Sequence, residues 1–94
     1  MVYVIVKYGV KDYAKWKPIF DDYGKMRKKA GSTGGKLFHE SGKPNDMLIL
    51  FDWDKKENAS KFFASEDTKK TQQSAGVIGK PTIFYLDKIE NFSA

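Results

Sequence analysis

Cysteine is absent from this 94-residue chain. That excludes a disulfide framework and every thiolate metal site. Histidine and arginine occur once each, as His39 and Arg27, against 16 lysines. One imidazole among scattered carboxylates lacks the ligand spacing of a metal centre, so no metal is expected. It cannot furnish a credible Ser-His-Asp set either, since it sits in the middle of a predicted strand. Long apolar runs are also missing. The opening MVYVIVK is too short for a signal peptide or a membrane span, so no membrane partner is expected. The one glycine-rich stretch, GSTGG at 31–35, lacks the Lys-Ser/Thr of a phosphate loop. With no linker, repeat or low-complexity tract, residues 1–94 read as a single domain, and the absence of cysteine suits a cytoplasmic protein.

What is present is an ordered globule's mixture, 40% hydrophobic and 15% aromatic, too rich for a disordered chain. The net charge of +5 invites the thought of nucleic acid. The lysines, however, are spread along the whole chain. The densest cluster, Lys25, Arg27, Lys28 and Lys29, falls near the end of a predicted helix, where cations complement the helix dipole. Nucleic acid is therefore not an expected partner.

Val2 to Gly9, rich in Val, Ile and Tyr, predicts a first strand. Asp12 is a fair cap for a helix from Tyr13 to Ala30, whose apolar residues recur at helical spacing. Pro18 inside it predicts a kink or a loosened first turn. Gly31 is a natural stop, and GSTGG reads as loop. Lys36 to Gly42 predicts a second strand, Lys43-Pro44-Asn45-Asp46 a turn, and MLILFDWD, Met47 to Asp54, a third strand. Asp54 can cap a helix from about Lys55 to Ala64, and Ser65 a restarted helix reaching Ala75. Gly79-Lys80-Pro81 reads as loop, and Thr82 to Ile89 as a fourth strand.

The order β-α-β-β-α-β is the ferredoxin-like plan: an α+β fold, four antiparallel strands with helices on one face. MLILFDWD exposes a difficulty. Met47, Ile49, Phe51 and Trp53 share one parity, yet Leu48 and Leu50 make the other parity oily too. Strands one and four repeat this. Helices cover one face only, and a large bare apolar patch is avoided by soluble monomers. A second copy of the chain, packed sheet to sheet, is the expected partner: a homodimer through the open sheet face, forming a barrel-like core.

At this point the chain resembles the dimeric α/β-barrel proteins related to antibiotic biosynthesis monooxygenases. The residues that carry the resemblance are VYVIVKY, DYAKWKPIFDDY, LILFDWD, KFFAS and GVIGKP. The resemblance spans nearly the whole chain and implies the dimeric ferredoxin-like barrel. Its members range from oxygenases and haem-degrading enzymes to proteins with no established activity, so the fold alone does not fix the chemistry. Oxygenases of this kind often carry a His in the helix after strand three, where this chain has Phe62. Haem-degrading relatives use a His in the restarted helix, where this chain has Lys69, Lys70, Gln72 and Gln73. No haem, and no other cofactor, is expected.

Read as chemistry, His39 and Asp52 are the candidate catalytic residues. A pocketed imidazole could act as a base, and a carboxylate flanked by apolar residues would be paired or have a raised pKa. Each has a plain alternative, an exposed edge residue and a wetted strand end. Arg27 falls at the rim of the helical stripe and could fork onto a substrate carboxylate or phenolate; the alternative is an ion pair, with Asp52 a candidate partner. Trp16, Tyr23, Trp53 and Tyr85 are aromatics with polar handles, suited to line a flat pocket for a small aromatic ligand or simply to fill the core.

The functional expectation is a cofactor-independent monooxygenase or cyclase-like protein acting on an aromatic small molecule. The alternative is a non-catalytic small-molecule-binding or interaction module, favoured if the cleft holds no acid–base pair. RNA-recognition domains share the plan, but a stacking platform must stay wet, and the open face here is aliphatic as well as aromatic.

Overall fold

A computed structural model describes residues 2–94. Four strands and four helices follow the predicted order; the first predicted helix is divided in two, and the second restarts at Ser65 as expected. The elements are β1 (Val2–Val10), α1 (Tyr13–Asp22), α2 (Gly24–Lys29), β2 (Ser32–Glu40), β3 (Lys43–Trp53), α3 (Lys56–Ala64), α4 (Glu66–Ser74) and β4 (Val77–Leu86). The antiparallel sheet runs β2-β3-β1-β4. This is the ferredoxin-like α+β architecture, with all four helices on one face. No described helix is long and apolar enough to cross a membrane.

Strand parity decides which side is covered. Val4, Val6 and Tyr8 of β1 pair along the register with Phe51, Ile49 and Met47 of β3, and these inward residues, with Val10 and Trp53 of the same parities, are buried. Against them pack Trp16 of α1 and Ala59, Phe62 and Phe63 of α3. The rings interlock: Trp53 lies 5.2 Å from Phe62 and 5.5 Å from Phe63, and Phe51 lies 5.8 Å from Trp53, centroid to centroid. The Trp53 indole N–H, which would otherwise be stranded in this core, donates to the Ala30 carbonyl at 3.0 Å.

The other face forms three cross-strand rows. They are Lys36–Leu50–Ile5–Phe84, Phe38–Leu48–Lys7–Thr82 and Gly34–Asp52–Tyr3–Leu86. Among the described residues nothing covers them: Phe38 is 48% exposed and Phe84 52%. Beyond Leu86 the chain continues without helix or strand, with Ile89 and Phe92 almost fully exposed.

Several local expectations change. The long first helix continues through Pro18 and breaks instead at Tyr23, where Gly24, a weak helix former, opens α2. Asp12 caps α1 as expected, accepting from the Ala14 N–H at 2.9 Å. Ser65 caps α4, accepting from the Thr68 N–H at 3.2 Å. Asp54 is not the cap of α3. Lys55 holds that position in extended conformation, and the Asp54 carboxylate instead takes the Lys55 N–H and the Asn58 amide. Gly31, at φ 112°, passes against that carboxylate where any Cβ would collide.

GSTGG is mostly strand, because Ser32 to Gly35 pair with Phe51 to Trp53 across a bulge at Thr33. The β2–β3 turn is Ser41-Gly42, so Lys43 to Asp46 are strand rather than turn. Gly79, Lys80 and Pro81 form a bulge within β4, opposite Tyr8, between the pairs Lys7–Thr82 and Gly9–Ile78. β4 therefore begins at Val77 and ends at Leu86, earlier than its expected limits.

Candidate functional site

The inward parity of β1 and β3 leaves one gap beneath the helices. Val6, Tyr8, Ile49 and Phe51 form its floor, Trp16, Phe20, Tyr23 and Arg27 one wall, and Phe62, Phe63, Thr68 and Gln72 the other. α1 brings Trp16 and Phe20 there at (i, i+4) spacing, their rings stacked at 4.7 Å. The cavity holds about 40 Å³. That accommodates about three waters, at roughly 10–15 Å³ each. Drug-sized ligands occupy about 300–1,000 Å³, so a ring system enters only if the walls part.

The polar groups that reach this space are few. Trp16 Nε1–H donates to the Tyr8 hydroxyl at 3.2 Å, which leaves the Tyr8 proton free to be donated onward. Burial pushes the Tyr8 pKa up to about 12, against smaller opposing effects of the Trp16 hydrogen bond and the Arg27 charge. The Tyr23 hydroxyl lies 3.3 Å from Thr68 Oγ1. Arg27 Nη1 donates to the Phe20 carbonyl at 2.8 Å, and the guanidinium carbon lies 4.0 Å above the centre of the Phe20 ring. Burial lowers the Arg27 pKa below its usual value.

The raised Tyr8 pKa has a consequence in alkali. Below pH 10 the phenol is neutral in both folded and unfolded chains. Between about pH 10 and 12 the unfolded chain ionises there and the folded one does not, so stability falls by up to roughly 3 kcal/mol. Tyr8→Phe removes that loss. Its stability relative to wild type should rise across this window in denaturant titrations, above a constant cost for leaving Trp16 without its acceptor.

Of the residues singled out in the sequence, Trp16, Tyr23 and Arg27 meet at the cavity. Trp53 and Tyr85 face the helices but do not line it. Trp53 lies in the core, and the Tyr85 ring sits 5.7 Å from the Lys56 ammonium. Asp52 pairs with Tyr3 on the opposite face of the sheet, which separates it from both the cavity and Arg27. His39 is exposed on edge strand β2, its Nδ1 3.0 Å from the Glu40 carbonyl oxygen, and does not line the cavity. The proposed acid–base pair is thus not assembled here: one member looks out from the sheet edge and the other from the open face. Tyr8 is the polar group that sequence reasoning passed over. Its signal was parity, since it alternates with Val4, Val6 and Val10.

Among the described residues no cluster of His, Cys, Asp and Glu could hold a metal ion. The cavity lining contains no carboxylate and no imidazole. Its chemistry is that of hydrogen-bond donors and one cation around an apolar space, fit to hold and stabilise an oxyanion rather than to abstract a proton.

Solved structures share this arrangement. A Bordetella bronchiseptica protein named as a candidate antibiotic biosynthesis monooxygenase superposes with a TM-score of 0.78 at 17% identity, over 95% of this chain and 97% of that one. The chain has that fold. A further structure named antibiotic biosynthesis monooxygenase matches at 0.71 and 18%, over 96% of this chain and all of the other. SnoaB from Streptomyces nogalater, described as a cofactor-independent oxygenase, matches at 0.70 and 14%, over 93% of each chain. At such identities the likeness is one of fold. No family model and no curated protein sequence matches the chain.

Proposed function

We propose that this protein binds a small aromatic molecule beneath its helices and oxidises it with molecular oxygen, without a cofactor, as a homodimer. The observation that carries this reading is the convergence of the Tyr8 and Tyr23 hydroxyls and Arg27 on a mostly apolar cavity, to which Thr68, Thr71 and Gln72 add uncharged polar groups. The fold shared with a cofactor-independent oxygenase supports it. Such a reaction draws its electrons from the substrate. A ring CH₂ activated by flanking phenols takes up O₂ and becomes C=O, with the second oxygen leaving as water. The protein's part is to exclude water, orient the ring and stabilise the phenolate that forms, work suited to Arg27 and Tyr8.

The lack of a base among the lining residues favours a second reading, a binder without catalysis. One experiment separates the two. Polycyclic phenols and hydroquinones are titrated while tryptophan fluorescence reports binding and an electrode reports oxygen. Quenching with oxygen uptake supports the oxygenase; quenching with no uptake above the uncatalysed rate supports the binder. Neither signal with any compound ends both readings.

The dimer rests on the open face. The protein exposes 6592 Å², whereas a folded monomer of this mass exposes about 5,500 Å². The excess is one to which the open-face rows around Leu50 and the exposed residues 87–94 both contribute. It is comparable with the roughly 800 Å² that each partner contributes to a standard interface. Asp52, Lys7 and Lys36 lie on the same face, so a two-fold partner brings opposite charges within reach of one another.

A further inference from the structure

Arg27 stands where three cavities meet. Besides the inner cavity it lines a slot of about 150 Å³ between α1–α2 and edge strand β2. It also lines an open groove at the end of α2, beside Lys28 and Thr33. The slot has apolar walls, Phe20, Leu37, Ile49 and Phe51, and it is bordered by Gly34 and Gly35, with Ser32 and Lys36 of β2 also in its lining. These glycines are required by the backbone. Gly34 has φ 131°, and a Cβ on Gly35 would run into the Leu50 carbonyl. The bulge in β2 thus places two residues without side chains beside the cavity wall.

The charge at the junction has no counter-ion. Arg27 is half-buried, and the ion pairs among the described residues are Lys17–Asp21 and Lys43–Glu40. Asp21, the acid that acts on Arg27 through space, is engaged by Lys17 at 2.6 Å. Asp54, on the rim of the outer groove, is engaged by Asn58 and the Lys55 N–H. One arm of the guanidinium is tied to the Phe20 carbonyl. The other, Nη2, has no hydrogen-bond partner among the described residues and lies beside Gly24, which borders the outer groove and where a Cβ would come within 3.3 Å. A partly desolvated cation with a free donor arm is costly unless something negative meets it.

We propose that the slot seats a planar aromatic ring carrying a carboxylate, with the ring against Phe20, Leu37 and Phe51 and the carboxylate on Arg27. The size agrees: an apolar cavity of about 150 Å³ takes a benzene-sized ring, whereas the inner cavity is too small. The guanidinium fork matches a carboxylate in a way an ammonium does not. Swinging Arg27 toward the ligand withdraws it from the wall shared with the inner cavity, so binding also opens the path inward. This assignment deepens the small-molecule reading above by naming a substrate class, but it is tested by binding alone.

Benzoate and its neutral isostere benzamide are titrated against the full chain by calorimetry and tryptophan fluorescence. Benzoate should bind at least about tenfold tighter, the worth of one charge-assisted hydrogen bond. Arg27→Gln should erase that preference, and Arg27→Lys should restore only part of it. Leu37→Trp fills the slot from β2 without entering the inner cavity and should abolish benzoate binding. Lys28→Gln should change it less than about twofold, because that cation meets bulk water. Equal binding of the two ligands, absence of benzoate binding, survival of binding in Leu37→Trp, or a loss in Lys28→Gln as large as in Arg27→Gln each overturns the proposal. Thermal melting establishes that each variant folds; if Arg27→Gln does not, the ligand pair and Leu37→Trp still decide. Benzoate binding without oxygen uptake by any phenol overturns the oxygenase and leaves the slot. Oxygen uptake on neutral phenols with no benzoate preference does the reverse.

Discussion

Trp53→Ala should cost about 3–5 kcal/mol, the usual range for truncating a fully buried tryptophan. Trp53 is 0% exposed and touches the rings of Phe51, Phe62 and Phe63, so its removal leaves a void walled on three sides by aromatics. A domain of this size has only about 5–15 kcal/mol in total. Each kcal/mol shifts the melting temperature by about 4–8 °C, which predicts a fall of roughly 12–40 °C. The ring and its N–H can be separated. Trp53→Phe keeps much of the packing but deprives the Ala30 carbonyl of its donor, and about 1–2 kcal/mol is expected. Circular dichroism melts of the three proteins check both values. Equal melting temperatures for wild type and Trp53→Ala would show that the aromatic cluster is not what holds α3 to the sheet.

Leu50→Arg should halve the mass of the particle. Leu50 lies in the row Lys36–Leu50–Ile5–Phe84, near the middle of the uncovered face. In a sheet-to-sheet dimer a new guanidinium there is buried without a designed partner, and an unpaired buried charge costs several kcal/mol per chain. In the monomer the same side chain reaches water, so the fold should survive with a nearly unchanged far-ultraviolet spectrum. Light scattering at micromolar concentration should give two chains for wild type and one for the variant. A wild-type mass of one chain removes the dimer from the account, and the excess exposed area would then need another partner.

The MLILFDWD strand shows where sequence reasoning reaches and where it stops. That both parities are apolar is visible in the letters, and so is the need for two covers. Which parity meets the helices is not, because Leu48-Leu50 and Ile49-Phe51 bury comparable area. Only the packing of Trp16, Phe62 and Phe63 against one side settles it, and that packing sends Asp52 outward. The helix restart was legible because Ser65 is followed three residues later by Thr68, whose N–H it accepts. The start of α3 was not. Asp54 is as good a capping residue as any, but its carboxylate accepts from the Lys55 N–H and the Asn58 amide, one residue ahead of the cap position that Lys55 holds.

GSTGG failed for a different reason. Its composition says turn, and cross-strand pairing with Phe51 to Trp53 overrode it. In the site, Arg27 stood out as the one arginine among 16 lysines, and its spacing, four residues after Tyr23 and seven after Phe20, placed it at the rim of the helical stripe. His39 could not be placed, because nothing local distinguishes an edge strand from a central one.

The bulges described in the two outer strands bear on how the molecule meets its own kind. A sheet's rim offers unpaired amide groups that template further strands, the route to fibrous aggregation. Here both rims are spoiled. β2 is broken in register near each end, at Thr33 and at the Glu40–Lys43 hairpin closure, and β4 is interrupted by Gly79, Lys80 and Pro81. Proline can donate no ladder hydrogen bond, and a distorted rim does not lie flush against another. Lateral growth is thereby discouraged on both sides, which leaves the open face, rather than either rim, as the apolar surface on offer.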